Sequence, residues 1–235
     1  HGWTRSKAQH RDLGLALAGA GIVAIVPDLP NVVDLWGNGT LVVELAAELE
    51  YQMMMLGSEK PAFETIVASG YRSAMPHGVA SDKKVKKGDF VTFDFGATVN
   101  GYVSDMTRTV VVGKASSRQK KIYGIVLRAQ QAGIKKVKAG IKAKEVDLTC
   151  RRIITKAGYG KNFGHGTGHG IGYFIHLGPR VSFQSEDKLM VNNVVTIEPG
   201  IYISGWGGVR IEDDVVVTRS GCQVLNKAEK KLLEL

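Results

Sequence analysis

Apolar residues recur every four positions through TLVVELAAELEYQMMMLG (residues 40–57), at Leu41, Leu45, Leu49 and Met53, with no glycine or proline before Gly57. That spacing is the buried stripe of an amphipathic helix, with Thr40 as its cap and Gly57 as its stop. Met53, Met54 and Met55 read as packing groups rather than ligands. SSRQKKIYGIVLRAQQAGIKKVKAG (116–140) predicts a second helix between a serine cap and a glycine stop, and AKEVDLTCRRIITKAG (143–158) a third. Elsewhere the period shortens. FVTFDFGA, YVSDMTRTVVV, NVVTIEPGIYI and VRIEDDVVVT are runs of β-branched and aromatic residues and read as strands, grouped in two hairpin-like pairs. The first pair is joined through Asn100-Gly101, a hairpin-turn dipeptide. Helices and paired strands in this arrangement predict an α+β fold.

The front of the chain is different. RSKAQHRDLGLALAGAG is helix-like from Ser6 to about Ala18, and GIVAIVPDLPNVVDLWGNG reads as a strand running into a loop at Pro27 and Pro30. Residues 1–39 are taken as an atypical N-terminal segment packed on a catalytic domain of residues 40–235. No G-x-S-x-G elbow follows, so the faint serine-hydrolase flavour of IVPDLP has nothing to support it.

The two halves also echo each other. A helical stripe, a glycine stop and a basic-aromatic exit precede a histidine-bearing loop and a strand pair with two acids, once as His77, Asp94, Asp105 and again as His169, Glu198, Glu212. The parallel order points to two related halves meeting at one site.

Composition narrows the classes. At 235 residues with a 44% hydrophobic and 23% charged share, the chain suits an ordinary globular protein. Its longest apolar run, residues 13–27, falls short of the roughly 20 residues a bilayer needs and lacks a signal-peptide start, so a cytoplasmic address and no membrane partner are expected. Cys150 and Cys222 form no disulfide framework and read as buried thiols. The formal charge of +9 concentrates in KKVKKGD (83–89), which has no interleaved aromatics; it reads as a solvated loop, and no nucleic-acid partner is expected.

The acids are the unusual feature. Asp94, Asp105, Glu198 and the trio Glu212, Asp213, Asp214 lie in strand-like text, and FGHGTGHGIGYFIH adds His165, His169 and His176. A carboxylate among apolar neighbours is costly unless paired, protonated or bound to a cation. Several such strands are explained most economically by cations that neutralise them together. Four carboxylates and an imidazole favour manganese, cobalt or iron, then zinc, and five ligands suit two ions about 4 Å apart. The plain alternative makes the acids surface residues and the histidines structural. The glycine-rich run is neither a Walker loop nor G-x-G-x-x-G, and HExxH is absent; its glycines read as a tight backbone path carrying His169.

FDFGATVNGYVSDMTRT, HGTGHGIG, TIEPG and GGVRIED, in that order, resemble the methionine aminopeptidase and Xaa-Pro peptidase superfamily from about residue 40 onward. The resemblance implies a pita-bread (creatinase/aminopeptidase) fold, with two pseudo-symmetric α/β halves around a central dinuclear site. It implies Asp94 as the terminal ligand of one ion, Asp105 and Glu212 as bridging carboxylates, and His169 and Glu198 completing the second. Two divalent ions per chain are implied, manganese or cobalt ahead of zinc or iron. His77 would meet substrate near the scissile amide, His176 would polarise its carbonyl, Glu198 would handle the proton of a metal-bridging hydroxide, and His165 would line the pocket. GWGGVRIEDDVVVT is similar to the proline-specific branch, whose arginine matches Arg210, expected to hold site carboxylates or the substrate end. The implied activity is exopeptidase cleavage of Xaa-Pro peptides or dipeptides. Methionine removal is the enzyme alternative, and a catalytically weak chimeric or binding protein on the same fold is the other.

Two departures stand out: Leu177 replaces a glutamate after His176, and LMVNNVV replaces a Pro-Gly-Met turn. The first removes an acid beside His176 and is expected to reduce activity. Proline-specific members also carry a separate N-terminal domain that supports dimerisation and closes the site. Residues 1–39 are too short to supply it, so looser cleavage preference is expected, and a homodimer is allowed by the resemblance. Of the acids, Asp105 is expected to be essential for activity and metal pairing and Asp213 is not.

Overall fold

The structure, a computed structural model, describes residues 39–235. The proposed packing of residues 1–39 therefore lies outside the described residues, apart from Gly39.

Helix α1 (Val42–Met55) buries Val42, Leu45, Ala46, Leu49 and Met53, the stripe read from the sequence. Its cap differs from expectation. Leu41, not Thr40, holds the N-cap position, and the Glu44 carboxylate reaches back to accept the Leu41 N–H at 2.8 Å. Of the three methionines only Met53 packs inside, because Met54 and Met55 fall on the outer face of the helix.

Strands β1 (Lys60–Pro61) and β2 (Ile66–Ser69) follow, then a long hairpin in two pieces. Its inner part pairs β3 (Phe90–Phe95) with β6 (Met106–Val111), from Phe90 opposite Val111 to Phe95 opposite Met106. Its tip pairs β4 (Ala97–Val99) with β5 (Tyr102–Val103). Asn100 (φ 52°) and Gly101 (φ 76°) make the turn, and their left-handed backbone is why Asn-Gly stands there.

Helix α2 (Ser117–Lys136) has the predicted serine cap, with Ser116 accepting from the Gln119 N–H at 3.3 Å. It ends at Val137, earlier than Gly140. Helix α3 (Ala143–Lys156) packs against it. Strands β7 (Gly168–Gly170) and β8 (Leu177–Val181) precede a second broken hairpin. There β9 (Val194–Ile197) pairs with β12 (Asp213–Val217), and β10 (Gly200–Ile203) with β11 (Gly207–Arg210). Strand β13 (Cys222–Val224) closes the edge. The main sheets run β2-β3-β6 and β13-β12-β9-β7-β8. Each half is thus a hairpin broken at both arms, backed by helices: α1 over the first, α2 and α3 over the second.

Strands β3 and β6 are buried on both faces. Val91, Phe93, Phe95, Met106 and Val110 pack toward α1. The alternate residues Thr92, Asp94, Thr107 and Thr109 point toward the other half, where the Thr109 hydroxyl donates to the Arg210 carbonyl at 2.9 Å. Strand alternation thus builds one apolar and one polar face from a single run of text. The basic KKVKKGD segment is less solvated than expected. Val85 is buried, and Lys83 donates to Asp89 at 2.7 Å and to the Ser69 hydroxyl at 2.8 Å, because a loop that returns into a strand needs its turn acid neutralised.

Candidate metal centre

The acids sit at the breaks. Asp94 lies one residue before the end of β3, and Asp105 between β5 and β6. In the second half Glu198 falls between β9 and β10, and Glu212 between β11 and β12. His169 is the middle residue of β7. Its loop is locked to α3 by Asp147, whose Oδ1 accepts from both the N–H and hydroxyl of Thr167 at 3.0 Å. Arg151 pairs with Asp147 and donates to the carbonyls of Phe163 and His165. The glycines flanking His169 are required by close approach: a Cβ on Gly168 would lie 1.9 Å from the Thr196 carbonyl oxygen, and one on Gly170 2.2 Å from that of Gly178.

His169 Nε2 lies 3.5 Å from Glu198 Oε1 and 3.7 Å from Asp105 Oδ2, while its Nδ1 faces the Gly170 carbonyl at 3.1 Å. The Nδ1–H is thereby committed to the backbone and Nε2 is left with its lone pair toward the acids. Asp105, His169 and Glu212 each offer one ligand atom, all within 4.8 Å of one another, and form a candidate metal-binding site. Arg210 organises the far side. Its Nη2 donates to Asp94 Oδ2 at 2.5 Å, its Nε to the Thr107 hydroxyl at 3.0 Å, and its Nη1 to the Pro76 carbonyl and the Tyr202 hydroxyl, both at 3.0 Å. The Thr107 hydroxyl in turn donates to Glu212 Oε2 at 2.5 Å.

What these bonds leave over tests the fit to cations. Asp94 Oδ1, Asp105 Oδ1 and Glu212 Oε1 are buried and have no hydrogen-bond partner. The Asp105 and Glu212 carboxylates cluster with the His169 imidazole and Asp94 lines the same cavity, a donor set that suits hard divalent ions; Asp214 Oδ1, outside the cavity, is also unpartnered.

Their proton affinities agree. Burial, then Glu212, Asp94 and other neighbouring acids, raise Asp105 well above the usual carboxylate range, and burial with Glu198 and Asp94 does the same to Glu212. Glu198 is pushed up to about 7, mainly by burial, against the pull of Arg210. Burial lowers His169 to about 4, so it is neutral and ready to ligate at neutral pH. A sign follows for the metal-free protein. His165 and His169, lowered to about 4, are neutral in the folded state above pH 6.5 and oppose the acids only weakly there, because the unfolded imidazoles are at most about half protonated. Raised acids bind more protons folded than unfolded, and that stability drains away as pH rises through their folded values. Chelator-treated protein is therefore expected to show a lower urea midpoint at pH 8 than at pH 6.5. Divalent ions should abolish the difference and release protons on binding, read by calorimetry in buffers of different ionisation enthalpy.

All nine residues singled out from the sequence, His77, Asp94, Asp105, His165, His169, His176, Glu198, Arg210 and Glu212, line one cavity of about 840 Å³. His77 and His176 are exposed at it, and the His176 ring lies 4.4 Å from that of His169. His165 faces the Gly166 carbonyl through Nδ1 at 2.7 Å and the Tyr202 hydroxyl through Nε2 at 2.8 Å. Tyr202 was not singled out, nor were Thr107 and Thr196, whose hydroxyl donates to Glu198 Oε1 at 3.2 Å. The available signal was alternation, since Thr107 lies two residues from Asp105, and Thr196 two from Glu198. Asp213, not expected among the ligands, has a structural place. It faces away from the cavity, fully buried, and binds Arg108 at 2.7 Å, Gln130 at 2.6 Å and the Lys230 ammonium. Arg108 also donates to the Glu212 carbonyl at 2.6 Å, which links Asp213 to the site through one side chain.

The family model for metallopeptidase family M24 matches residues 23–219. The chain belongs to metallopeptidase family M24. The match starts ahead of residue 40, where the motif resemblance begins, and enters the segment read as atypical. An Xaa-Pro dipeptidase of Pyrococcus horikoshii is 54% identical over 190 residues, covering 81% of this chain and 54% of that protein. Among solved structures, an X-Pro aminopeptidase from Thermotoga maritima superposes with a TM-score of 0.90 at 41% identity, over 98% of this chain and 64% of that one. The prolidase from Pyrococcus furiosus gives 0.86 at 46%, over 96% and 65%. The M24 chain thus spans just over half the length of the curated relative and under two thirds of these structures. Its paired broken hairpins are the two halves of the pita-bread fold.

Proposed function

We propose that this M24 chain forms the catalytic part of an exopeptidase that hydrolyses the N-terminal peptide bond of Xaa-Pro peptides or dipeptides with two divalent ions. The observation that carries the reading is the convergence of three orphaned carboxylate oxygens and the His169 lone pair on one open cavity. Asp94 would hold one ion, His169 and Glu198 the other, with Asp105 and Glu212 serving both. An oxygen-rich donor set with one imidazole favours manganese, cobalt or iron, then zinc, and the family resemblance puts manganese or cobalt first. Such ions supply Lewis acidity and lower the pKa of water.

The chain's own residues do the rest. Glu198, at the cavity with Oε1 3.5 Å from His169 Nε2, is placed to take up and return a proton during the reaction. Arg210 fixes Asp94 and, through Tyr202, the ring of His165. His77 and His176 reach the cavity from opposite halves and can donate to a substrate carbonyl as charge develops on it. Phe63, Ile66, Val79, Ile175 and Leu177 give the cavity an apolar wall suited to a proline ring. With Leu177 there, no acid follows His176 to orient it. Two features reported for relatives by name, Xaa-Pro dipeptidase and X-Pro aminopeptidase activity, support the substrate class. No nucleic-acid or membrane partner enters this reading, and among the described residues no helix is long and apolar enough to cross a membrane. A cytoplasmic address, in keeping with two free thiols, and a homodimer belong to the same proposal.

A panel of Xaa-Pro dipeptides, Xaa-Pro-Xaa peptides and Met-Ala-Xaa peptides, assayed with manganese or cobalt, tests it. Release of the residue before proline, lost on chelation, is the expected result. Methionine release without Xaa-Pro cleavage would overturn the substrate assignment.

A further inference from the structure

Asp105 occupies the gap between β5 and β6, so no strand ladder holds its peptide group. Side chains from the other half of the sequence take over. The Asp105 N–H donates to Asp214 Oδ2 at 2.9 Å, and its carbonyl accepts a long bond of 3.4 Å from Asn226 Nδ2. Asn226 Oδ1 in turn accepts the Asp214 N–H at 2.6 Å, which closes a ring of three residues. Asp214 is 4% exposed, stands opposite Thr196 across β12 and β9, and is not among the residues lining the cavity. Asn226 lies in the tail beyond β13.

Glu212 is held in the same manner at the matching gap. Its N–H donates to the Thr107 carbonyl at 3.1 Å and its carbonyl accepts from Arg108 at 2.6 Å. Each of the two central carboxylates therefore has both ends of its peptide clasped by groups outside its own hairpin arm. A strand break frees a carboxylate to turn into the site, and it also removes the hydrogen bonds that would fix it there. Clasps of this kind restore the lost restraint.

We propose that Asp214 and Asn226 are positioning residues that set where the Asp105 carboxylate stands relative to His169 and Glu212. The proposal rests on the reading of Asp105 as a metal ligand. Asp214 acts as an acceptor for the Asp105 N–H, and Asn226 acts by orienting Asp214 and steadying the Asp105 carbonyl.

The test is cobalt(II) titration of the 235-residue chain, read by visible absorption and by calorimetry, for the parent, Asp214→Ala, Asp214→Asn and Asn226→Ala. Both alanine variants are expected to weaken cobalt binding by about 10–100-fold and to alter its absorption bands, which report ligand geometry. Asp214→Asn keeps an acceptor oxygen and should restore affinity to within a few-fold of the parent. A purely structural role would lower the unfolding temperature of metal-free protein and leave the bands of the folded fraction unchanged; that result overturns the proposal. So does Asp214→Asn losing as much affinity as Asp214→Ala. Should Asp214→Ala fail to fold, Asn226→Ala, at a half-buried tail position, carries the same test. A parent that binds no cobalt overturns the metal-centre reading itself, whereas parent binding with unaffected variants overturns the positioning role alone.

Discussion

Asp105→Ala is expected to lower kcat/KM on an Xaa-Pro dipeptide by about 10³-fold or more, because several kcal/mol of Lewis-acid stabilisation depends on ligands of this kind. The carboxylate lies between the halves, 3.7 Å from His169 Nε2 and within 4.8 Å of a Glu212 oxygen. Its removal leaves the Glu212 and His169 donors without the third member of their cluster. Metal analysis should show fewer than two ions per chain, and activity should not return at high metal concentration. The variant should fold, because deleting a buried acid whose charge is disfavoured by its neighbours relieves repulsion in the metal-free state. Full activity with two bound ions would remove Asp105 from the ligand set.

Asp213→Ala is expected to act through stability instead. Asp213 is fully buried against Arg108, itself only 2% exposed, and removing one partner of a buried ion pair costs about 3–5 kcal/mol. For a chain of this size that is a fall in Tm of roughly 10 °C. The Lys230 ammonium shares the same carboxylate, so the variant is left with two cations and no anion between them. Arg108 keeps its carbonyl acceptors at Thr107, Ala228 and Glu229 but loses its carboxylate partner, which loosens its hold on the Glu212 carbonyl, and a smaller loss of activity should accompany the destabilisation. Denaturation curves of metal-free protein separate the two variants: a large fall in midpoint for Asp213→Ala, and little change for Asp105→Ala. The reverse pattern would show that the two neighbouring acid motifs had been given each other's roles.

Asp213 also marks where the sequence stops being readable. Glu212, Asp213 and Asp214 are three consecutive acids. Strand alternation separates the middle one from its neighbours, yet it does not say which face looks into the site. The destination of each depends on partners about a hundred residues away, Arg108 for Asp213 and the Asp105 N–H for Asp214. The same holds for Tyr202, an ordinary strand tyrosine in the text, which becomes the link between Arg210 and His165 only when β10 and β11 pair. Local errors had local causes. Thr40 was a plausible cap, but Leu41 took the position because Glu44 reached its N–H, and α2 ended before Gly140 because Val137 turned into the core.

By itself the sequence determined the helical stripes, the Asn-Gly turn, the two strand pairs and the nine residues that meet in the cavity. The first three are consequences of periodicity and turn chemistry, and the nine residues follow from motifs that resemble a known family, all written within short stretches of chain. Only the tertiary structure decided that both hairpins break where their acids lie, which carboxylate oxygens stay unpaired, and which acid is structural. Those outcomes depend on hydrogen bonds between the two halves. A buried carboxylate's role is set by the donors that reach it, and here the donors arrive from the opposite end of the chain.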